Sequence, residues 1–194
     1  MEIKTFSLLL LVLLSGCGLK EIDRSQLKFG DNPFSADSIF NKSQTISVFY
    51  KGKKFTGYAT EKYGNGQLMY KLEFKDGLAN GSSEEFYSSS KKKSIGAYLD
   101  GRGIGTFEEY YENGNMKMTG KLNGKGKIDG ISTFYSEDGK KLESIEFKNG
   151  LQNGYYFEYF PDGKVHRKIS YRDGKKDGEA TLYFENGKLQ GQLL

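Results

Sequence analysis

The sequence predicts an all-β fold, an elongated and twisted single antiparallel sheet of tandem β-hairpins, on three observations. Glycines recur about every 24 residues over most of the chain, and Asn-Gly or Asp-Gly pairs punctuate the intervals. Between these pairs apolar and polar residues alternate, which is typical of strands with one apolar and one wet face. The 26 glycines among 194 residues also disfavour long helices, because glycine weakens a helix interior.

The first residues predict export and a lipid anchor. Residues 1–16 combine Lys4 with an apolar run at 6–14, which fits a signal peptide and is too short to cross a bilayer as a helix. Residues 14–17 read Leu-Ser-Gly-Cys and resemble the lipobox of bacterial lipoproteins. The resemblance implies cleavage between Gly16 and Cys17, acylation of Cys17, and attachment to the membrane through several acyl chains, palmitate among them.

The same segment predicts the compartment, the bacterial cell envelope. Cys17 is the only cysteine, so a disulfide within the chain is excluded. The alternative interpretation is an ordinary secretory signal followed by a free or buried cysteine. Gly18, rather than Asp, follows Cys17 and by resemblance to bacterial sorting rules favours the outer membrane where two membranes exist. The net charge of +4 is modest, and an exported chain is not expected to bind nucleic acid.

Residues 17–45 are expected to form the lipidated cysteine and a flexible tether. Their sequence is polar and aperiodic, which suits a spacer that lifts a domain off the bilayer. An alternative remains for the four apolar residues of this segment, which could instead cap the first strand of the following domain. These are Phe29, Phe34, Ile39 and Phe40.

Residues 46–194 are predicted to form one repeat domain. A half unit at 47–54 is expected to begin the array. The full units begin near Gly57, Gly81, Gly105, Gly130, Gly154 and Gly178. Nine residues into each unit a second glycine follows Asn or Asp, except in the second unit, which has Ser90 there. Asn-Gly and Asp-Gly accept positive φ and predict tight hairpin turns.

The second strands of the first five predicted hairpins each contribute one residue to an apolar column. Its members are Phe74, Tyr98, Leu122, Phe147 and Tyr171. The segments GTFEEYYENGNMKMTGKLNG and GYYFEYFPDGKVHRKISYRDG resemble MORN repeats, in the bacterial variant of the YwqK-type antitoxin-like repeat proteins. The resemblance covers about residues 46–194, and it implies an elongated antiparallel sheet that serves as a binding scaffold, sometimes at membranes.

No catalytic, metal or cofactor site is predicted, so the protein is expected not to be an enzyme. His166 is the only histidine, which leaves no histidine pair for a metal and no Ser-His-Asp arrangement by the usual routes. We expect it on the wet face of its strand. Four glutamates share one repeat position and are expected to form a solvated face. They are Glu61, Glu85, Glu109 and Glu158.

The aromatic residues of the repeats form the candidate surface for a protein partner, because tyrosine in particular is enriched at interfaces. The candidates are Tyr87, Tyr111, Tyr135, Tyr159, Phe160, Tyr183 and Phe184. The expected function is that of a lipid-anchored, non-catalytic envelope protein whose sheet binds another protein. Two alternatives stay open: an antitoxin-like or immunity protein that neutralises a specific toxin, and a binder of glycan or peptidoglycan.

The last predicted strand, residues 188–194, is expected to leave an open sheet edge. Such an edge is a template for strand addition by a partner or by a second copy of the chain.

Overall fold

A computed structural model describes residues 19–29 and 47–193 of the chain. The signal peptide (1–16), Cys17 with its cleavage point after Gly16, and Leu194 lie outside the described residues. So do three of the four apolar residues of the expected tether, Phe34, Ile39 and Phe40. Over the described ranges, no helix has the length and apolar character needed to span a membrane.

Seventeen strands account for most of the described chain. They are β1 (Glu21–Asp23), β2 (Lys28–Phe29), β3 (Val48–Tyr50), β4 (Lys53–Lys54), β5 (Gly57–Lys62), β6 (Leu68–Lys75), β7 (Leu78–Phe86), β8 (Lys92–Leu99), β9 (Arg102–Tyr110), β10 (Met116–Leu122), β11 (Gly130–Tyr135), β12 (Lys141–Lys148), β13 (Leu151–Tyr159), β14 (Val165–Arg172), β15 (Lys175–Lys176), β16 (Ala180–Tyr183) and β17 (Leu189–Leu193). One turn of 3-10 helix, Arg24–Gln26, separates β1 from β2.

Fourteen of these strands form one long sheet. From β5 to β14 each strand pairs with the next in the chain, β16 and β17 continue the row, and the short β15 pairs with β14 beside it. All of these pairs are antiparallel, so consecutive hairpins lie side by side. The all-β prediction of tandem antiparallel hairpins in one long sheet is therefore confirmed.

The hairpins share one register, and the spaced glycines fix it. The first glycine of each of the first five units lies opposite the member of the apolar column that belongs to the same unit. The pairs are Gly57 with Phe74, Gly81 with Tyr98, Gly105 with Leu122, Gly130 with Phe147, and Gly154 with Tyr171. Every unit therefore presents the same side-chain positions to its neighbours, as the alternation of apolar and polar residues predicts.

Two kinds of turn alternate along the sheet. Inside the first unit the N–H of Gly66 donates to the carbonyl of Tyr63 at 2.8 Å, and Gly66 alone is left-handed, with φ of 83°. Between units, Asp76 and Gly77 are both left-handed, with φ of 50° and 82°. A two-residue turn in which both residues are left-handed has a twist that matches the twist of the strands it joins. Asp-Gly and Asn-Gly accept these dihedral angles, which explains their presence between units.

The expectation of a flexible tether over 17–45 does not hold for residues 21–29. Strand β1 pairs in parallel with β5, with Ile22 opposite Ala59, and it therefore covers the first edge of the long sheet. Strand β2 pairs with β3, with Phe29 opposite Val48. The half unit at 47–54 likewise does not begin the long sheet, because β3 and β4 form a separate three-stranded sheet with β2.

The main core lies where these N-terminal strands cover the first unit. It comprises Ile22, Leu27, Val48, Phe55, Ala59, Tyr70, Leu72 and Phe74. Further along the sheet, the apolar side chains that are buried among the described residues are Phe107 and Ile169. Phe107 is 4% exposed. Its ring lies so close to Gly120 that a Cβ there would come within 2.6 Å of it.

Candidate binding surface

A ladder of tyrosine hydroxyls joins the first four units. The hydroxyl of Tyr63 donates to the carbonyl of Phe86 at 2.8 Å, that of Tyr87 to Tyr110 at 2.7 Å, and that of Tyr111 to Tyr135 at 2.8 Å. Each bond reaches from one unit into the next at the same repeat position. Tyr87 and Tyr111, both candidates for the partner-binding surface, are thus half-buried links between units, since their polar tips are already satisfied.

The ladder position, which is the position of Tyr63, Tyr87 and Tyr111 in the first three units, holds other residues in the later units. The fourth unit has Ser136, while the fifth and sixth have Phe160 and Phe184, which carry no hydroxyl to donate. Instead, both rings line an open groove of about 710 Å³ at the last two units. The other residues that line it are Asp162, Lys164, His166, Tyr183, Glu185, Asn186 and Gln190. Three of the seven sequence candidates, Phe160, Tyr183 and Phe184, are therefore brought together in one place.

The wall of the groove around Phe160 is fixed by its neighbours. The ring of His166 lies 4.5 Å from the ring of Phe160, centre to centre, and the Nδ1 of His166 lies 3.3 Å from the Oε1 of Glu158. The expectation that His166 is simply exposed on the wet face is not met. Its side chain is 35% exposed and forms one side of the groove.

The rim of the groove carries both signs of charge. The ammonium of Lys164 contacts Asp162 at 2.6 Å and donates to the carbonyl of Glu185 at 2.9 Å. The hydrogen bond from Lys164 holds the pKa of the Asp162 carboxyl below its usual value. With Glu185, the lining carries two carboxylates and one ammonium, so the groove has no positive charge in excess to attract a polyanion.

Tyr135 and Tyr159 are not among the groove residues. Tyr135 is half-buried and receives the hydroxyl of Tyr111 on its carbonyl. Tyr159 continues a row of rings along β13, with 5.8 Å between Tyr155 and Phe157 and 6.3 Å between Phe157 and Tyr159. Its hydroxyl lies 2.8 Å from the hydroxyl of Ser144. This row is a second aromatic strip, with the ammonium of Lys168 3.8 Å above the Tyr155 ring.

The glutamate column differs from the solvated face expected from the sequence. Each of the four side chains is 19–37% exposed and paired with a cation. The closest cations are Arg24 for Glu61 at 2.7 Å, Lys93 for Glu85 at 3.4 Å, Lys117 for Glu109 at 3.3 Å, and Arg167 for Glu158 at 2.6 Å. Partly exposed pairs of this kind contribute about 0–1 kcal/mol each, so the column is a half-buried row of ion pairs.

Several groove residues were missed by sequence reasoning, His166, Asp162 and Gln190 among them. The change from Tyr to Phe at the ladder position was the one signal that could have located them. Elsewhere, the described residues include no group of three His, Cys, Asp or Glu side chains able to hold a metal ion.

The comparisons with known proteins agree with the repeat architecture. The family model described as "MORN repeat variant" matches residues 55–76, 104–123, 128–149, 152–173 and 176–194, which together make up more than half of the chain. No curated protein matches the chain. A chain of the solved GtfA/B complex bound to UDP and GlcNAc is 11% identical, with a TM-score of 0.27; the match covers 62% of this chain and 23% of that one. A likeness this low carries no weight for fold or function.

Proposed function

The chain belongs to the MORN repeat variant family, and from that premise we propose that it is a non-catalytic scaffold that binds another protein at the cell envelope. The groove of Phe160, Tyr183 and Phe184 carries the proposal. In the first three units the ladder position holds a tyrosine whose hydroxyl is used within the sheet, whereas Phe160 and Phe184 line a groove. Aromatic rings at the centre of a polar rim are the usual anatomy of a protein interface.

The chemistry of the rim supports a protein rather than a polyanion. Within the groove Lys164 is occupied by Asp162 and by the Glu185 carbonyl, while Asn186 and Gln190 add neutral hydrogen-bonding groups. An apolar side chain of the partner would pack between the rings, and its backbone would meet the amides. We propose that the acyl chains on Cys17 hold this surface at the membrane, the outer one where two are present.

The groove is tested with two variants of the full chain. In the first, Phe160→Ala and Phe184→Ala are combined; in the control, Ile131→Ala removes an exposed apolar side chain on β11, outside the groove. The comparison is matched because Ile131 is 58% exposed and Phe184 48%. We expect the groove variant to recover at least about tenfold less of the partner from envelope extract, because central aromatic residues dominate interfaces. The control should recover as much as the unsubstituted chain.

The outcomes separate the proposal from its alternatives. Equal loss, or no loss, in both variants would contradict a binding role for the groove. Retention on insoluble cell-wall material that the groove variant abolishes would favour the glycan binder. A captured partner that stops growth, and whose effect the chain suppresses, would identify the antitoxin-like or immunity function.

The anchor is tested at Cys17. In the bacterial host, Cys17→Ser should remain unacylated and should leave the membrane fraction for the soluble fraction, because the acyl chains supply the membrane affinity. Fractionation and the mass of the N-terminal peptide measure this change. An unmodified cysteine in the unsubstituted protein would contradict the anchor and leave the groove proposal standing.

A further inference from the structure

The two edges of the long sheet differ. At the first edge β1 covers β5 and is itself only three residues long, with Glu21 and Asp23 flanking Ile22. Short, charged strands of this kind protect an edge against further pairing. At the other edge β17 pairs with β16 on one side, and no strand of the described chain pairs with its outer side. Within the described residues, the outer edge of β17 has neither a covering strand nor a charged side chain.

The sequence of β17 reads the same in both directions. Residues 189–193 are Leu-Gln-Gly-Gln-Leu. In antiparallel pairing of two copies centred on Gly191, Leu189 of each copy lies opposite Leu193 of the other, and Gln190 lies opposite Gln192. In a two-fold interface the same patch serves on both subunits, and in this register each cross-strand pair joins two residues of the same type. We propose that two copies of this chain associate through β17, in this register, into one continuous sheet.

The side chains of the strand suit such pairing. Leu189 and Leu193 are 57% and 60% exposed, among the most exposed large apolar side chains of the described residues. The strand carries no charge, so no like charges meet across the axis. Gly191 lies on the axis itself, and a Cβ there would meet nothing within 4 Å among the described residues. On the inner side, Leu193 and Gly191 lie opposite Ala180 and Leu182, and the register with β16 shifts by one residue between Gly191 and Leu189.

The register is tested first by cysteine pairs in the full chain. Directly opposite residues of antiparallel strands have Cα atoms about 4.5–5.5 Å apart, within disulfide range. We expect Gly191→Cys to form a disulfide with itself under mild oxidation. Leu189→Cys should not, because residues 189 of the two copies would lie about 13 Å apart. Mixing Leu189→Cys with Leu193→Cys should give the mixed disulfide, and Ser88→Cys, at an exposed hairpin turn, measures random collision.

A pair of double variants tests the association without a cross-link. Leu189→Lys with Leu193→Lys places lysine opposite lysine twice, and we expect at least a tenfold weaker dimer by analytical ultracentrifugation. Leu189→Lys with Leu193→Glu changes the same two exposed positions but places lysine opposite glutamate twice. It should retain the dimer, and at high salt the difference between the two variants should shrink.

The proposal is overturned by three results. The first is cross-linking of Gly191→Cys no greater than that of Ser88→Cys, with the linked peptides identified by mass spectrometry. The second is equal association of the two double variants. The third is a strand from a different protein occupying β17. None of these depends on the groove, since Phe160 and Phe184 are unchanged throughout, so failure here leaves the proposed function intact.

Discussion

Replacing Leu72 by alanine is expected to lower the free energy of unfolding by about 2–5 kcal/mol, the range for large-to-small changes in a core. Leu72 is 0% exposed and lies on β6, opposite Ala59 on one side and Ser83 on the other. It belongs to the cluster that the N-terminal strands cover. Because both neighbouring strands are fixed by hydrogen bonds, the structure cannot collapse fully onto the space that the side chain leaves.

Urea unfolding of the full chain, followed by far-ultraviolet circular dichroism, measures the Leu72 effect. The matched control is Leu142→Ala, on β12 in the middle of the sheet, where the side chain is 43% exposed. It should change the free energy by no more than about 0.5 kcal/mol. Comparable losses in the two variants would show that the first unit has no core of its own. In a repeat array each unit contacts only its neighbours, so hydrogen exchange should show the Leu72 loss mainly in units one and two.

Gly57→Ala should destabilise the protein by about 2–4 kcal/mol, from backbone strain of about 1–3 kcal/mol and a lost hydrogen bond of about 1 kcal/mol. Gly57 has φ of 147°, in a region that side chains rarely adopt. An added Cβ would lie 2.2 Å from the carbonyl oxygen of Lys20 and 2.9 Å from the ring of Phe55. That carbonyl accepts the N–H of Tyr58 at 2.7 Å, so the substitution pushes the N-terminal strand off the sheet.

The Gly57 prediction has a control in the same hairpin. Gly64 lies outside the left-handed region, and a Cβ there would meet nothing within 4 Å. Gly64→Ala should therefore be neutral or stabilise by up to about 1 kcal/mol, because alanine restricts the unfolded chain. Limited proteolysis provides a second measurement, since displaced residues 19–29 should be cut faster in Gly57→Ala. If residues 19–29 are cut no faster and the free energy of unfolding is unchanged in Gly57→Ala, the close approach of Gly57 to the Lys20 carbonyl is contradicted.

Much of the fold could be predicted because its rules are local. A turn needs left-handed residues, which Asp76-Gly77 supplies directly, and one apolar face per strand fixes the register. The second unit illustrates the strength of these rules. It falls outside the matched family segments and has Ser90 for glycine, yet Ser90 adopts φ of 64° and its hairpin keeps the common register.

The N-terminal strands could not be predicted in the same way. A strand of three residues such as Glu21–Asp23 is too short to show alternation, and its pairing with β5 joins residues more than 30 positions apart. The aromatic surface was only partly predictable for a similar reason. From composition, Tyr87 and Phe184 are both simply aromatic. In the structure the hydroxyl of Tyr87 donates to a carbonyl 23 residues further on, whereas the ring of Phe184 lines a groove.

The amino-acid sequence by itself determined the six full hairpins, their turns and the alternation of faces along their strands, since turn dihedrals and strand alternation act over a few residues. Only the tertiary structure decided which aromatic residues link units and which line a groove, and how the first edge is covered. Those outcomes depend on hydrogen bonds and packing between segments some 20 to 40 residues apart, where the energy of a contact is set by position in space rather than by neighbours in the chain.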